Sequence, residues 1–290
     1  LPEPIVEAVR NDGYDPGDCD ISVTQLIGPP QIRKLRQLHE DEISEDASGR
    51  IWALLGQAVH IILERASKTA TVEKRLFAEV NGYTISGQLD RVAYEPCKLT
   101  DYKVTSAWTF IGGLRPDWIS QLNCYAFLCL ANGILVDELE IVAIYRDWSQ
   151  AQAKRRQDYP ESQVARLPVS LWPEGFALGY IQGRLFMHFD LEMRPCTDEE
   201  RWAKPEKWAV MKKGRKSALR VLGSKQEALL WATEKGHIDA ATDVAGPHRW
   251  KSGYYLQERP REYPRCERYC AVSSFCDQWA AICSANEELS

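Results

Sequence analysis

The stretch from Leu76 to Thr105 constrains this chain most, because it reads as consecutive antiparallel strands. Leu76 to Val80 runs into Asn81-Gly82, a strong hairpin signal because both residues accept positive φ. Tyr83 to Tyr94 reads as a second strand, Glu95-Pro96-Cys97 as a turn, and Lys98 to Thr105 as a third strand. Side chains alternate across a strand, so Asp101 and Lys103 share one face and Tyr102 takes the other. Folding about Glu95-Pro96-Cys97 brings Asp90 roughly opposite Asp101. Two facing carboxylates repel, and a hard divalent cation such as Mg²⁺ or Mn²⁺, which takes oxygen ligands, compensates them. A lysine beside such a pair can orient a metal-bound water and favour its deprotonated form. Asp90, Asp101 and Lys103 are therefore a minimal kit for phosphodiester hydrolysis. The bland alternative is a surface hairpin with a Lys–Asp pair.

Around this meander the elements alternate. Residues 1–20, rich in Pro, Gly and Asp, read as an extended lead-in, and Ser22 to Glu40 as a short helix carrying Arg33, Lys34 and Arg36. A polar acidic loop follows from Asp41 to Gly49. Arg50 to Ser67 reads as a helix whose Ile51, Leu54, Leu55, Val59, Ile62 and Leu63 form one apolar face, with His60 on the other side beside small residues. Asp117 to Ala131 reads as a helix, Glu138 to Trp148 as a strand and Leu171 to Met193 as a long helix. That order predicts an α/β core with a mixed sheet flanked by helices.

The C-terminal third reads differently. Trp208 to Met211 and Ala218 to Leu222 suit two short strands around a basic turn, and Ser224 to Lys235 suits a helix capped by Ser224 and ended by Gly236. This predicts a small ββα module. Lys204 to Lys225 holds eight Lys and Arg against the single acid Glu206, which is either a solvated face or a grip on phosphates. The net charge of −5 decides nothing here, since nucleic-acid binding needs a local basic surface. The expected boundaries are a lead-in over 1–20, the core over 21–196, the module over 197–240 and a cysteine-bearing segment over 241–290. No apolar run is long enough to cross a bilayer and no signal pattern opens the chain, which gives a cytoplasmic expectation. Among the nine cysteines, Cys124 and Cys129 suit a helical core, whereas Cys266, Cys270, Cys276 and Cys283 cluster at the end and call for a metal rather than a disulfide framework.

Four motifs then add a resemblance. Gly87-Gln88-Leu89-Asp90 followed by Asp101-Tyr102-Lys103 resembles motifs of the PD-(D/E)xK nucleases, whose fold is a restriction-endonuclease-like core. Gly56-Gln57-Ala58-Val59-His60 resembles the helical G-x-x-x-H of the RecB-like branch. Gln121-Leu122-Asn123-Cys124-Tyr125, eighteen residues after the lysine, resembles its Q-x-x-x-Y. The resemblance covers about Ser22 to Met193. It implies that His60, Asp90 and Asp101 ligate Mg²⁺ or Mn²⁺ with the Tyr102 or Val104 carbonyl assisting. It also implies that Lys103 serves the attacking water, that Gln121 supports the lysine or substrate, and that Tyr125 lines the same face. A further acid is expected among Glu64, Glu73 and Glu79.

Cys266-x-x-x-Cys270-x5-Cys276 is similar to the cysteine clusters of iron–sulfur RecB-like nucleases, which hold a [4Fe-4S] cluster with one earlier cysteine. The usual early position falls near Gly28-Pro29-Pro30, where no cysteine stands, so Cys196, Cys283 or Cys19 must complete the site. Cys196 is the expected fourth ligand, and tetrathiolate Zn²⁺ is the alternative. The activity so implied is a DNA exonuclease of phage or prophage recombination, with a single-strand annealing protein as companion. Arg33, Arg36, Lys212, Lys213, Arg215 and Lys216 are expected to grip the phosphate backbone with little sequence specificity. A structure- or site-specific endonuclease and a non-catalytic DNA-binding subunit are the rivals.

Overall fold

A computed structural model describes residues 1–11, 15–67, 70–238 and 249–288. The chain divides into two compact units, 1–195 and 196–290. The first holds, in order, α1 (Glu3–Arg10), β1 (Ile21–Ser22), α2 (Val23–Ile27), α3 (Pro30–Leu38), α4 (Ile51–Ala66), β2 (Thr71–Val80), β3 (Tyr83–Ala93) and β4 (Lys98–Thr105). It continues with α5 (Trp108–Ile111), α6 (Pro116–Ala131), β5 (Glu138–Tyr145), α7 (Gln150–Arg155), β6 (Val164–Val169) and α8 (Glu174–Phe189). The six strands make one mixed sheet in the order β1-β3-β4-β5-β6, with β2 also paired to β3.

The predicted meander is present, and its second hairpin is short. β2 and β3 pair antiparallel along their length about Asn81-Gly82, where both residues have positive φ. β3 and β4 pair only at Arg91↔Thr100, Val92↔Leu99 and Ala93↔Lys98. Beyond Thr100 the two strands part. β4 runs parallel to β5 from Lys98↔Glu138 to Thr105↔Tyr145, while β1 pairs with β3 at Ile85 and Ser86. Asp90 and Asp101 therefore stand where the sheet forks.

One helix holds the fork from behind. α6 is apolar on most sides, so it is buried on most sides. Leu122, Leu128 and Cys129 are fully buried against sheet residues Leu89, Leu99 and Ile141. Each such leucine contributes about 1.5–3 kcal/mol by leaving water. Its one buried amide, Asn123, is satisfied: Nδ2 donates to the Ile119 and Ser170 carbonyls, and Oδ1 accepts from Trp172 N.

Several expectations need correction. The lead-in contains helix α1, because Pro4 sits in its first turn, where its missing N–H costs nothing, and Glu3 and Arg10 suit opposite ends of the helix dipole. The helix expected from Ser22 to Glu40 is two helices. Pro29 and Pro30 bias the preceding residues away from helical geometry, so α2 stops at Ile27 and α3 restarts at Pro30. The first meander strand begins at Thr71, and the strand expected to reach Trp148 ends at Tyr145. The long helix starts at Glu174, after Pro173. The apolar face of α4 is not core: no residue of this helix is fully buried, and Trp52 and Ile62 are largely exposed.

The second unit contains β7 (Lys207–Lys212), β8 (Arg220–Leu222), α9 (Lys225–Glu234), β9 (Tyr254–Arg259), α10 (Pro264–Arg268) and α11 (Asp277–Glu288). Ser224 caps α9 in a full capping box with Glu227, and Gly236 follows at φ +68°. The boundary expected at residue 240 lies outside the described residues, but the ββα reading is incomplete. β9 pairs with the free edge of β7 and gives a three-stranded sheet, β8-β7-β9. An unpaired β7 edge would have left its backbone groups without partners. No helix among the described residues is long and apolar enough to cross a membrane.

Candidate active site and metal centre

The fork gathers chemistry from five elements. By the register of the neighbouring pairs, Asp90 on β3 lies across from Asp101 on β4, but the ladder has already ended. Asp90 Oδ2 accepts instead from the Tyr102 backbone N–H at 2.7 Å, so the carboxylate replaces the missing strand partner. Asp101 is 2 % exposed. Burial raises its pKa, opposed chiefly by the Lys103 ammonium. Lys103 Nζ is 2.8 Å from Asp101 Oδ2, but the approach is off the hydrogen-bond direction and Oδ2 keeps no aligned donor. A buried carboxylate oxygen in that condition is costly unless another ligand completes it.

The fork thus brings Asp90, Asp101 and Lys103 into one cluster. Its lysine is positioned by α6, where Lys103 Nζ donates to Gln121 Oε1 at 2.8 Å and Gln121 Nε2 donates to the Tyr125 hydroxyl at 2.9 Å. Gln121 and Tyr125 are one helical turn apart, so a single face carries both. Tyr125 is buried, which pushes its pKa well above the usual phenol value and keeps it neutral. Gly87 explains itself here. A Cβ there would stand 2.7 Å from both the Tyr125 ring and Leu128, so only glycine lets α6 approach β3 closely enough to place Gln121.

His60 enters from α4. Its Nε2 is 3.1 Å from the Tyr102 carbonyl, and its Nδ1 is 3.3 Å from Asp90 Oδ1 and 3.7 Å from Glu73 Oε1. Hydrogen bonding to Asp90 first and Glu73 second raises the imidazole pKa to about 10. Of the three acids named in the sequence, Glu73 is the one whose carboxylate faces His60. It lies between the pairs Val72↔Arg91 and Lys74↔Leu89, hence across from Asp90, at φ +47°. That backbone conformation costs a non-glycine residue of order 1 kcal/mol or more, as is common at functional sites. Gln88 Nε2 donates to its other oxygen at 2.5 Å. Glu64 lines the same cleft from α4, whereas Glu79 pairs with Thr84 near the far end of the hairpin.

His60, Glu73 and Asp90 present ligand atoms within 4.8 Å of one another. Ligands about 2.1 Å from an octahedral ion stand about 3 Å apart when adjacent, close to the 3.3 Å between His60 Nδ1 and Asp90 Oδ1. With Asp101 Oδ2 lacking an aligned donor, the donor set fits a small divalent cation. A cleft of about 740 Å³ opens beside it, lined by residues including Gly56, Gln57, Glu64 and Gln88.

The expected phosphate grip is only partly free. Arg33 is engaged in the fold: its guanidinium donates to the His188 and Asp20 carbonyls and stacks 4.7 Å from the Phe189 ring centre. Arg36 pairs with Glu45 at 3.0 Å. In the second unit Lys213, Arg215 and Lys216 project from the exposed turn between β7 and β8, while Lys212 lies 5.1 Å from the Tyr254 ring centre. A further basic run, Lys154-Arg155-Arg156, lies in the first unit at the end of α7.

Within the second unit, Cys196, Cys266, Cys270 and Cys276 lie near enough for their charges to act on one another, although no three of their sulfurs lie within 4.8 Å of each other. The Cys196 thiol is pushed up to about 12 by burial, then by Glu200 and the three other thiols. Cys266 is raised by burial and by Cys270 and Cys276. Gln278 fixes the Cys196 backbone at both ends, accepting from its N–H at 3.0 Å and donating to its carbonyl at 2.9 Å.

No family model and no curated protein matches this chain. Solved structures do. SSO0001 aligns at 16% identity over 69% of this chain and 89% of its own, with a TM-score of 0.48. An alkaline exonuclease, LHK-Exo, from Laribacter hongkongensis aligns at 12% identity over 57% of this chain and 84% of its own, with a TM-score of 0.35. A phage related exonuclease from Haemophilus somnus 129PT aligns at 13% identity over 65% of this chain and 80% of its own, with a TM-score of 0.27.

Proposed function

We propose that this chain is a divalent-metal-dependent deoxyribonuclease that works as an exonuclease from DNA ends. The observation that carries the reading is the convergence of His60, Glu73, Asp90 and buried Asp101 beside a lysine held by its own support. His60, Asp90, Asp101 and the Tyr102 carbonyl would hold Mg²⁺ or Mn²⁺, with Glu73 as the added acid. When bound, such an ion lowers the pKa of water and polarises a phosphate oxygen. Lys103 orients the attacking water and offsets the charge that develops on the phosphate. Gln121 fixes the Lys103 amine, and Tyr125 fixes Gln121. Burial of Asp101 keeps competing water from its oxygens. The activity belongs to phage or prophage recombination, as the RecB-like motifs imply, beside a single-strand annealing protein.

The test is digestion of end-labelled linear duplex and of covalently closed circles, with Mg²⁺ or Mn²⁺, against an Asp101→Ala control. Linear DNA should be degraded and intact circles survive. Ready linearisation of circles that Asp101→Ala silences would turn the reading to an endonuclease, and no cleavage of either would leave a DNA-binding subunit.

We also propose that Cys196, Cys266, Cys270 and Cys276 hold one [4Fe-4S] cluster, with a structural role. Four thiolates are a suitable donor set, and the electrostatic influence of Cys266, Cys270 and Cys276 on Cys196 supports Cys196 as the fourth ligand. Such a clamp closes a loop of about seventy residues around the β7–β9 sheet, which restricts the unfolded chain. Anaerobically purified protein should be brown, and Cys196→Ala should bleach it. Colourless protein with one zinc would keep the clamp and remove the iron.

A further inference from the structure

Beyond the metal, β4 leads to an aromatic surface that the hydrolytic machinery does not use. Thr105 stands two residues past Lys103, about 7 Å along the strand. Its carbonyl accepts from Arg146 N, and the Arg146 guanidinium lies 4.5 Å from the Trp52 ring centre. Trp52 sits on α4 two turns before His60, about 12 Å along the helix axis. On the other side Trp108 opens α5, with Arg156 5.1 Å from its ring centre and Tyr159 edge-on at 5.5 Å. Asp147 ties the two strand ends together, accepting from Ser106 Oγ at 2.6 Å and Ala107 N at 2.7 Å. The surface is therefore built on rigid elements.

Its exposure has no packing reason. Trp52 is 59% exposed and Trp108 48%, with Phe110 and Ile111 also open. A tryptophan with a guanidinium near it and open area remaining is a stacking plane for a flat partner. The charge beside it is positive: Lys154 and Arg155 make no ion pair among the described residues, while Arg156 is held in place by Asp158 at 2.7 Å. Flat apolar rings interleaved with cations fit alternating bases and phosphates. A duplex hides its base faces except at its end, whereas an unpaired strand offers every one.

We propose that Trp52 and Trp108, backed by Arg146 and Arg156, form a stacking platform for unpaired DNA bases next to the scissile phosphate. This deepens the nuclease reading and rests on it. The substrate class it names is a single strand, or a duplex end whose last bases have parted.

The test uses the full chain carrying Asp101→Asn, to spare the probe from cleavage. The probes are a labelled oligodeoxynucleotide, the same strand with abasic sites, and the matching blunt duplex. Base-bearing single strands should lose about tenfold in affinity with Trp52→Ala or Trp108→Ala, and retain it with Trp→Phe at either position. Duplex affinity should change less than about twofold. The protein with both tryptophans should bind the abasic strand as poorly as the alanine variants bind the normal one, an arm that needs no tryptophan variant to fold. Equal binding of abasic and normal strands, or unchanged affinity in both alanine variants, overturns the platform. Digestion by the unmodified chain is run in parallel. Cleavage without a base effect sinks the platform alone, and a base effect without cleavage sinks the nuclease reading alone.

Discussion

Lys103 Nζ donates to Gln121 Oε1 at 2.8 Å, so a residue on α6 decides where the β4 ammonium points. Gln121 touches no reacting atom in this arrangement and is a positioning residue. Lys103→Ala should abolish cleavage. Gln121→Ala should lower kcat by about ten- to a hundredfold, as expected when a group supporting a catalytic side chain is lost. KM should hardly move, because DNA affinity comes from contacts elsewhere. Tyr125→Phe removes the next hydroxyl along and should cost less. Single-turnover rates at saturating DNA separate these effects, and a Gln121→Ala defect confined to KM would remove the relay.

His60 links metal binding to protons. Without an ion its pKa is raised to about 10 by Asp90 and Glu73, so at neutral pH the ring is charged. A ligand imidazole must be neutral, so metal uptake releases a proton and affinity rises with pH up to that pKa. Calorimetry of Mn²⁺ binding in buffers of different ionisation enthalpy should show about one proton released. His60→Ala should abolish that release and lose Mg²⁺-supported activity, with partial recovery in excess Mn²⁺, since imidazole suits Mn²⁺ better. Glu73→Gln should raise the metal concentration needed for half activity. Proton release unchanged in His60→Ala would place the ring outside the site.

Gly87 is tested by stability rather than by rate. A methyl at 2.7 Å from Tyr125 and Leu128 must push buried ring and aliphatic atoms aside. Overpacking of this kind costs about 1–3 kcal/mol. Gly87→Ala should lower the urea midpoint accordingly and, by shifting α6, reduce kcat as well. A midpoint equal to wild type would mean that α6 yields freely.

Much of this was legible in the sequence because the candidate site residues are fixed by local rules. Asp101 and Lys103 share a face by strand alternation, and Gln121 and Tyr125 by helical spacing. What escaped depends on long-range departure from those rules. Glu73 reaches the site through a left-handed backbone in mid-strand that no residue type announces. The apolar face of α4 looks like core because periodicity records amphipathicity and not what covers it. Arg33 looks like a surface cation, yet desolvation lowers its pKa and its guanidinium is spent on carbonyls. The pairing of β9 escapes because its partner lies more than forty residues earlier, beyond any local signal.

The last prediction concerns acid stability. His188 is 2% exposed, its Nε2 lies 2.9 Å from the Leu26 carbonyl and so carries the proton, and its Nδ1 has no partner. Burial, then the nearby Arg184 and Arg33 guanidinium groups, lower its pKa to about 4, against the donor role to Leu26 that raises it. The folded state therefore keeps this ring neutral while the unfolded chain protonates it near the ordinary value of about 6.5. A depressed pKa contributes stability that is fully present above the unfolded value and is lost as pH falls through the folded one. Between about pH 6.5 and 4 the unfolded state binds one more proton at this position, which gives a slope of up to about 1.4 kcal/mol per pH unit. His188→Gln can keep a donor near the Leu26 carbonyl without titrating. It should cost some stability at pH 7 but flatten the fall in the urea-derived unfolding free energy between pH 6.5 and 4. Carboxylates that titrate in that range, Asp101 among them, contribute to both proteins and cancel in the difference. Parallel pH profiles for the two proteins would show that His188 is charged in the fold or does not titrate there.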